Sequence, residues 1–156
     1  MYHTIGSGAL KYFILKVDPK KKMLFNPKES IDFNGNTGPF IQYTHARIKS
    51  VLSKAGKITD TSDENVVVNP LEREIIKLIY EYPTVLEESA KQYNPALIAN
   101  HVYELTKTFN RFYHDYSILK EENEKTKQFR LLLAAQCAKV IKSGMKLMGI
   151  EVPDRM

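Results

Sequence analysis

A single cysteine, Cys137, stands in the 156-residue chain. It can close no internal disulfide and supplies no thiolate set for structural zinc, so the compartment it suggests is a reducing cytoplasm. No charged segment followed by an apolar one opens the sequence as a secretion signal would, and no run of 18 apolar residues exists that could span a bilayer. No membrane partner is expected. The four histidines, His3, His45, His101 and His114, show no i, i+4 pairing, which argues against a metal site. Phosphate loops, glycine-rich dinucleotide turns and nucleophile elbows are also missing. Glu87-Glu88 and Glu121-Glu122 are adjacent pairs whose members point different ways, as on a solvated face. Lys22-Met23 opens like a KMSKS loop, but Leu24-Phe25 brings neither the serine nor the second lysine that would hold phosphate. No catalytic residue is assigned.

What is present is ordinary for a folded protein: 43% hydrophobic and 26% charged residues, enough chain for one domain with a real core. The net charge of +5 is unevenly spread. Residues 1–57 carry ten Lys or Arg against Asp18, Glu29 and Asp32, a balance of +7, leaving thirteen against fifteen, or −2, in the rest. A basic N-terminal third fits a polyanion partner, and also a plain solvated surface.

Helical periodicity dominates and no alternating strand pattern competes, so the expected fold is all-α, an antiparallel bundle of five or six helices. Residues 5–17 read as a short apolar helix stopped before Asp18-Pro19. The basic, proline-bearing PKKKMLFNPKES reads as a loop. Thr37 is a candidate N-cap for a helix ending near Ala55, and GKITDTSDENVVVN, residues 56–69, reads as a flexible segment. Asn69-Pro70 and Asn94-Pro95 each pair a capping residue with a proline at the first helical position. Between them a helix pair broken at Pro83 is expected, followed by a helix to about Tyr116. After the charged turn EENEKTK, a last helix should run from about Gln128 to Met148, with Gly149 ending it.

At 100° per residue, Ile41, Thr44, Ile48, Val51, Leu52 and Ala55 share one arc, leaving Tyr43, Arg47, Ser50 and Lys54 on the opposite side. A tyrosine among cations can stack on a nucleobase while the cations neutralise phosphates. A tyrosine whose hydroxyl caps a neighbouring helix would sit there equally well. On residues 96–116 the core arc holds Ile98, His101, Val102, Leu105, Phe109 and Phe112. Tyr113 lies at its edge, where sealing the bundle rim competes with ligand contact, and Tyr103, Lys107, Asn110 and His114 lie outside. His101 reads as a satisfied core histidine and Cys137 as a buried, inert thiol. Lys139, Lys142 and Lys146 form an outward stripe, either a solvated face or a track for phosphates.

Three stretches carry a resemblance: VDPKKKMLFNPKESIDFNGNTGPFIQYTHARIKS, FNRFYHDYSIL and the ending KLMGIEVPDRM. Together they resemble, in order and over essentially the whole chain, the C-terminal part of bacterial-type arginyl-tRNA synthetases. Their anticodon-binding domain is an all-α bundle named for a DALR motif, aligned here near Gly8-Ala9-Leu10-Lys11, where the Asp and Arg are replaced and their roles cannot be transferred. The resemblance implies a class I synthetase that joins arginine to its tRNA using ATP, with Mg, in an upstream catalytic domain. HIGH and KMSKS signatures are missing from these residues, so the chain looks like a fragment that binds without catalysing and needs no cofactor itself. It implies residues 1–35 as the helix and basic loop joining the catalytic domain to a bundle of residues 36–156. Arginine-specific tRNA and the parent's own catalytic domain are the implied partners of a monomer. The resemblance implies that Tyr43 and Tyr113 face the anticodon arm, with Met156 in the anticodon-loop pocket; the helical wheels add Arg47, Lys54, Asn110 and His114 as candidate tRNA-binding residues. Two rival readings are the bundle of another class I synthetase, such as the cysteinyl or methionyl enzyme, and a helical protein-interaction module. FNGNTGPFIQY and the DRM ending favour the arginyl family.

Overall fold

The computed structural model of the protein describes residues 2–59 and 66–156. Among the described residues there are six α-helices and no strand: α1 (Tyr2–Leu15), α2 (Pro27–Ser30), α3 (Gly38–Ala55), α4 (Pro70–Gln92), α5 (Ala96–Asp115) and α6 (Glu124–Leu147). The all-α expectation holds.

Local capping chemistry explains where these helices begin. Thr37 Oγ1 accepts the Phe40 amide at 3.3 Å and opens α3. Asn69 and Glu72 form a reciprocal capping box at α4, each side chain accepting the other's backbone N–H at 2.9 and 2.8 Å, with Pro70 between them. Helix α5 begins at Ala96, one residue later than expected: Pro95, with helical dihedrals, stands in the cap position, and Asn94 Oδ1 accepts the Ala96 amide at 3.1 Å.

Three further expectations need correction. The supposed loop before residue 31 contains α2, a single turn nucleated where Asn26 accepts the amides of Lys28 and Glu29 beside Pro27. The last helix starts at Glu124, a turn earlier than Gln128, because Asn123 within the charged turn is itself a cap, accepting the Thr126 amide at 3.0 Å. Most substantially, Pro83 does not divide a helix pair: α4 runs 23 residues with Pro83 inside it. An internal proline removes one hydrogen bond and crowds the preceding turn. Here Pro83 lies on the exposed side, which is convex in a long helix that curves around its core and where backbone hydrogen bonds are already lengthened, while its neighbour Tyr82 is buried and donates to Ser143 Oγ on α6 at 2.9 Å. Packing holds both halves in one helix. His101 adds a tie at the same level, its Nε2 2.8 Å from the Leu78 carbonyl, which makes it the satisfied histidine expected of it.

The core gathers one apolar stripe from each long helix: Tyr12 of α1, Ile41 and Ile48 of α3, Ile75 of α4, Leu105, Phe109 and Phe112 of α5, and Leu131, Ile141 and Met145 of α6, all essentially inaccessible. Burying each such side chain contributes about 1.5–3 kcal/mol. Tyr12 shows that the first helix belongs to this core; its hydroxyl lies 2.9 Å from the Ala99 carbonyl, and burial pushes its pKa up so that it stays protonated. Helices α1 and α3 approach closely because two glycines meet: a Cβ on Gly38 would fall 2.7 Å from the Gly8 carbonyl oxygen. Cys137 is buried, and desolvation raises its thiol pKa, so it is the inert residue expected. Of the segment expected to be flexible, residues 60–65 lie outside the described residues; 56–59 and 66–69 carry no helix, and Thr59 donates its amide to Gln128 Oε1 at 3.1 Å.

Candidate nucleic-acid interface

Helix α3 presents Tyr43, Arg47 and Lys54 outward, as the helical wheel requires, while α5 presents Tyr113 beside them. The Arg47 guanidinium carbon sits 4.8 Å from the Tyr43 ring centre and 5.4 Å from that of Tyr113, so the cation lies against two aromatic rings at once. Asn110 fixes its direction: Arg47 Nη1 donates to Asn110 Oδ1 at 2.6 Å, and Asn110 Nδ2 donates to Thr44 Oγ1 at 2.7 Å. Tyr113 in turn stacks on the buried Phe109 at 6.3 Å and 20°. Phe33, from the loop before α3, meets Tyr43 edge-on at 6.4 Å. The result is an aromatic and cationic platform rooted in the core and open to solvent, with Tyr43 42% and Tyr113 36% exposed.

These residues line a surface pocket of about 790 Å³. The chain's end forms its far wall through Asp154, Arg155 and Met156, and Lys49 and Lys54 add charge along α3. Four cations thus border one pocket, an arrangement able to neutralise phosphates while exposed rings accept a base.

Of the residues singled out in the sequence, Tyr43, Arg47, Lys54, Tyr113 and Met156 come together in this pocket. Asn110 is joined to it through Arg47. His114 is not among the lining residues: it is exposed and lies 2.9 Å from the carboxylate of its own neighbour Asp115. Lys139, Lys142 and Lys146 are exposed on α6, the latter two beside a separate groove. Sequence reasoning missed Phe33, whose approach to Tyr43 is set by a loop, and missed the wall built from Asp154 and Arg155.

It also missed what places that wall. After α6 the chain turns at Gly149, whose φ of +68° is the left-handed conformation a helix-ending glycine adopts. The tail beyond is held by three side chains on alternate carbonyls: Lys11 Nζ donates to Gly149 O at 2.6 Å, Gln42 Nε2 to Glu151 O at 2.7 Å, and His45 Nδ1 lies 3.0 Å from Pro153 O. Ile150 is buried between them, and Val152 packs partly on the core. Gln42 and His45 are themselves almost fully buried on the inner side of α3. Both flank the apolar arc of the helical wheel and stand outside it, so periodicity gives no sign of their burial.

Burial lowers the His45 pKa below its ordinary 6.5, against the opposing pull of the Pro153 carbonyl and Asp154, and with help from Lys142 and Lys49. A lowered folded pKa means that the fold prefers neutral imidazole. Its contribution to stability is therefore whole above pH 6.5 and is lost as the pH falls through the lowered folded value. We expect the melting temperature to fall between about pH 7.5 and about pH 5, and to fall less in His45→Asn, which cannot titrate; equal falls in both would assign the acid sensitivity elsewhere.

The architecture is that of an all-α bundle with an exposed aromatic and basic pocket, and comparison with known proteins gives this bundle its family. Residues 41–156 match the DALR anticodon binding domain family, and the chain belongs to it. Because the match begins at Ile41, it lends no support to placing the DALR motif at residues 8–11. Among curated relatives, an arginine–tRNA ligase of Parabacteroides distasonis is 56% identical over 97% of this chain and 26% of its own length. One from Flavobacterium psychrophilum is 55% identical over the whole chain and 26% of its own length. The solved structure of Thermus thermophilus arginyl-tRNA synthetase superposes with a TM-score of 0.91 at 28% identity, covering 98% of this chain and 27% of that one. The chain spans about a quarter of the relatives it matches.

Proposed function

We propose that this chain recognises the anticodon arm of arginine tRNA on behalf of a longer arginine–tRNA ligase, working in the cytoplasm. The observation that carries the reading is the Arg47 guanidinium held between the exposed rings of Tyr43 and Tyr113 at the mouth of a cation-rimmed pocket, in a domain of the anticodon-binding family. A base entering this pocket would meet π-faces and a planar cation, and its flanking phosphates would meet Lys49, Lys54 and Arg155. The identity of 50–56% to arginine–tRNA ligases supports arginine tRNA over the substrates of other class I enzymes.

Ligation itself would need ATP and Mg, and the described residues do not suit them. They contain no group of three His, Cys, Asp or Glu able to hold a metal ion, and the sequence has no phosphate loop. Those groups are assigned to a catalytic domain of the longer protein, and no step of the reaction is derived from the residues described above.

The test is a filter-binding comparison across salt concentrations. Arginine tRNA is expected to bind more tightly than a tRNA for another amino acid, with affinity falling as salt rises. The same 156-residue chain should support no arginine-dependent ATP–pyrophosphate exchange. Equal binding of both tRNAs at every salt concentration would overturn the reading and favour a general polyanion surface; no binding of either would favour a protein-interaction module.

A further inference from the structure

Resting on that reading, we infer that Gln42 and His45 are positioning residues of the RNA pocket: from inside helix α3 they grip the main chain of the C-terminal tail and so deliver Arg155 and Met156 to the pocket wall.

The geometry is specific to this task. Gln42 and His45 stand at positions i and i+3 on α3, so both side chains leave the same side of the helix, about one turn apart. They meet carbonyls two residues apart, Glu151 and Pro153, which is the spacing of same-side groups along an extended chain. Lys11 on α1 holds Gly149 in the same register. A tail with no helix or strand of its own is thereby fixed up to Pro153, one residue before the pocket lining begins. Chain ends without such attachments fray.

The same helix thus works on both sides. Tyr43 sits between Gln42 and Thr44 in sequence and Arg47 follows His45 by two, so the residues that hold the tail and the residues that face the pocket alternate along one rigid element. A shift of the tail relative to α3 would move Met156 relative to Tyr43 and Arg47. Gln42 also bears a penalty that core packing alone does not require. Its Nε2 lies within hydrogen-bond distance of two carbonyls, Thr4 at 3.2 Å and Glu151 at 2.7 Å, while its Oε1 is buried without a partner among the described residues. An apolar residue of the same size would fill the space and leave no orphaned oxygen on α3. What it could not do is hold the tail.

The experiment compares His45→Phe, which keeps a ring and loses the donor, and Gln42→Met, which keeps length and loses both donors, with His45→Asn, whose amide nitrogen can stand in for Nδ1. Two readouts are taken in the 156-residue chain: the rate at which carboxypeptidase removes Met156 and Arg155, which needs no RNA, and affinity for arginine tRNA in the intact chain and in one already lacking those two residues. Trimming is expected to speed up by about three-fold or more in His45→Phe and Gln42→Met, and affinity to fall by a similar factor, with both effects reversed in His45→Asn and the affinity loss absent from the shortened chain. An affinity loss that persists in the shortened chain, or trimming that stays at the wild-type rate, overturns the inference. Tyr43→Ala is the control for the RNA reading: a loss there with none in His45→Phe overturns the inference alone, and no loss in either overturns the reading beneath it.

Discussion

Replacing Arg130 by methionine is expected to cost about 3–5 kcal/mol of folding stability, the usual consequence of leaving one member of a buried ion pair behind. Arg130 and Glu72 join the start of α6 to the start of α4. Arg130 Nε donates to Glu72 Oε1 at 2.8 Å, and the same guanidinium reaches Glu121 Oε2 at 2.5 Å and the Ser117 carbonyl at 3.0 Å. Its guanidinium carbon also lies 5.4 Å from the Tyr116 ring centre. Glu72 is 1% exposed and does a second job, since its other oxygen accepts the Asn69 amide in the capping box of α4. The methionine would fill the volume but leave a carboxylate in a space water cannot reach. Urea denaturation checks the magnitude. The double variant Glu72→Gln, Arg130→Met should lose clearly less than the two single changes added together, because the amide still accepts from Asn69 and no charge is stranded. A loss of about 1 kcal/mol or less in Arg130→Met would mean that the pair behaves as an exposed one and that solvent reaches Glu72.

This pair also marks a limit of what the sequence conveys. Glu72 reads as a residue of the helix that Asn69-Pro70 opens and Arg130 as one of the last helix, but nothing in either stretch says that they meet, because the contact spans 58 residues. Sequence signals are legible where the chemistry is local. Thr37, Asn69 and Gly149 act as cap, capping box and helix stop because each answers the backbone next to it. Pro83 is the opposite case, because proline's local cost is outweighed by the contacts of Tyr82 and His101 around it, which no local pattern displays. The candidate site divides in the same way. Tyr43, Arg47 and Lys54 follow from one helical wheel, and their meeting with Tyr113 and Met156 was carried by family resemblance. The bonds from Gln42 and His45 to the tail, and the approach of Phe33, depend on how loops travel, which periodicity does not encode. His114 shows the converse, a residue that shares a helix face with Asn110 yet ends outside the pocket because α5 turns that part of its surface to solvent.

Tyr43→Ala is expected to weaken binding of arginine tRNA by about 1–3 kcal/mol, the usual worth of a stacked base, while moving the melting temperature little. The small thermal effect follows from exposure: Tyr43 is 42% accessible and touches the rest of the protein through Arg47 and the edge of Phe33. Tyr113 and Met156 are exposed to a similar degree, 36% each, and line the same pocket from the other side. Deleting Arg155 and Met156 should therefore leave the bundle folded and reduce affinity, since a flexible thioether able to pack on a base would be gone along with one cation. Combining that deletion with Tyr113→Ala should cost less than the two losses added, because a base can lose a shared contact only once. Arg47 makes the coupling tighter still. With Tyr113 removed the guanidinium keeps Asn110 and Tyr43 but loses one of its two rings, so the slot is already loosened before the tail is cut. A cycle of four proteins, with tRNA affinity measured at one fixed salt concentration, decides the matter. Strict additivity would mean that Tyr113 and Met156 serve separate contacts, and a large fall in melting temperature on Tyr43→Ala with unchanged affinity would return Tyr43 to the core.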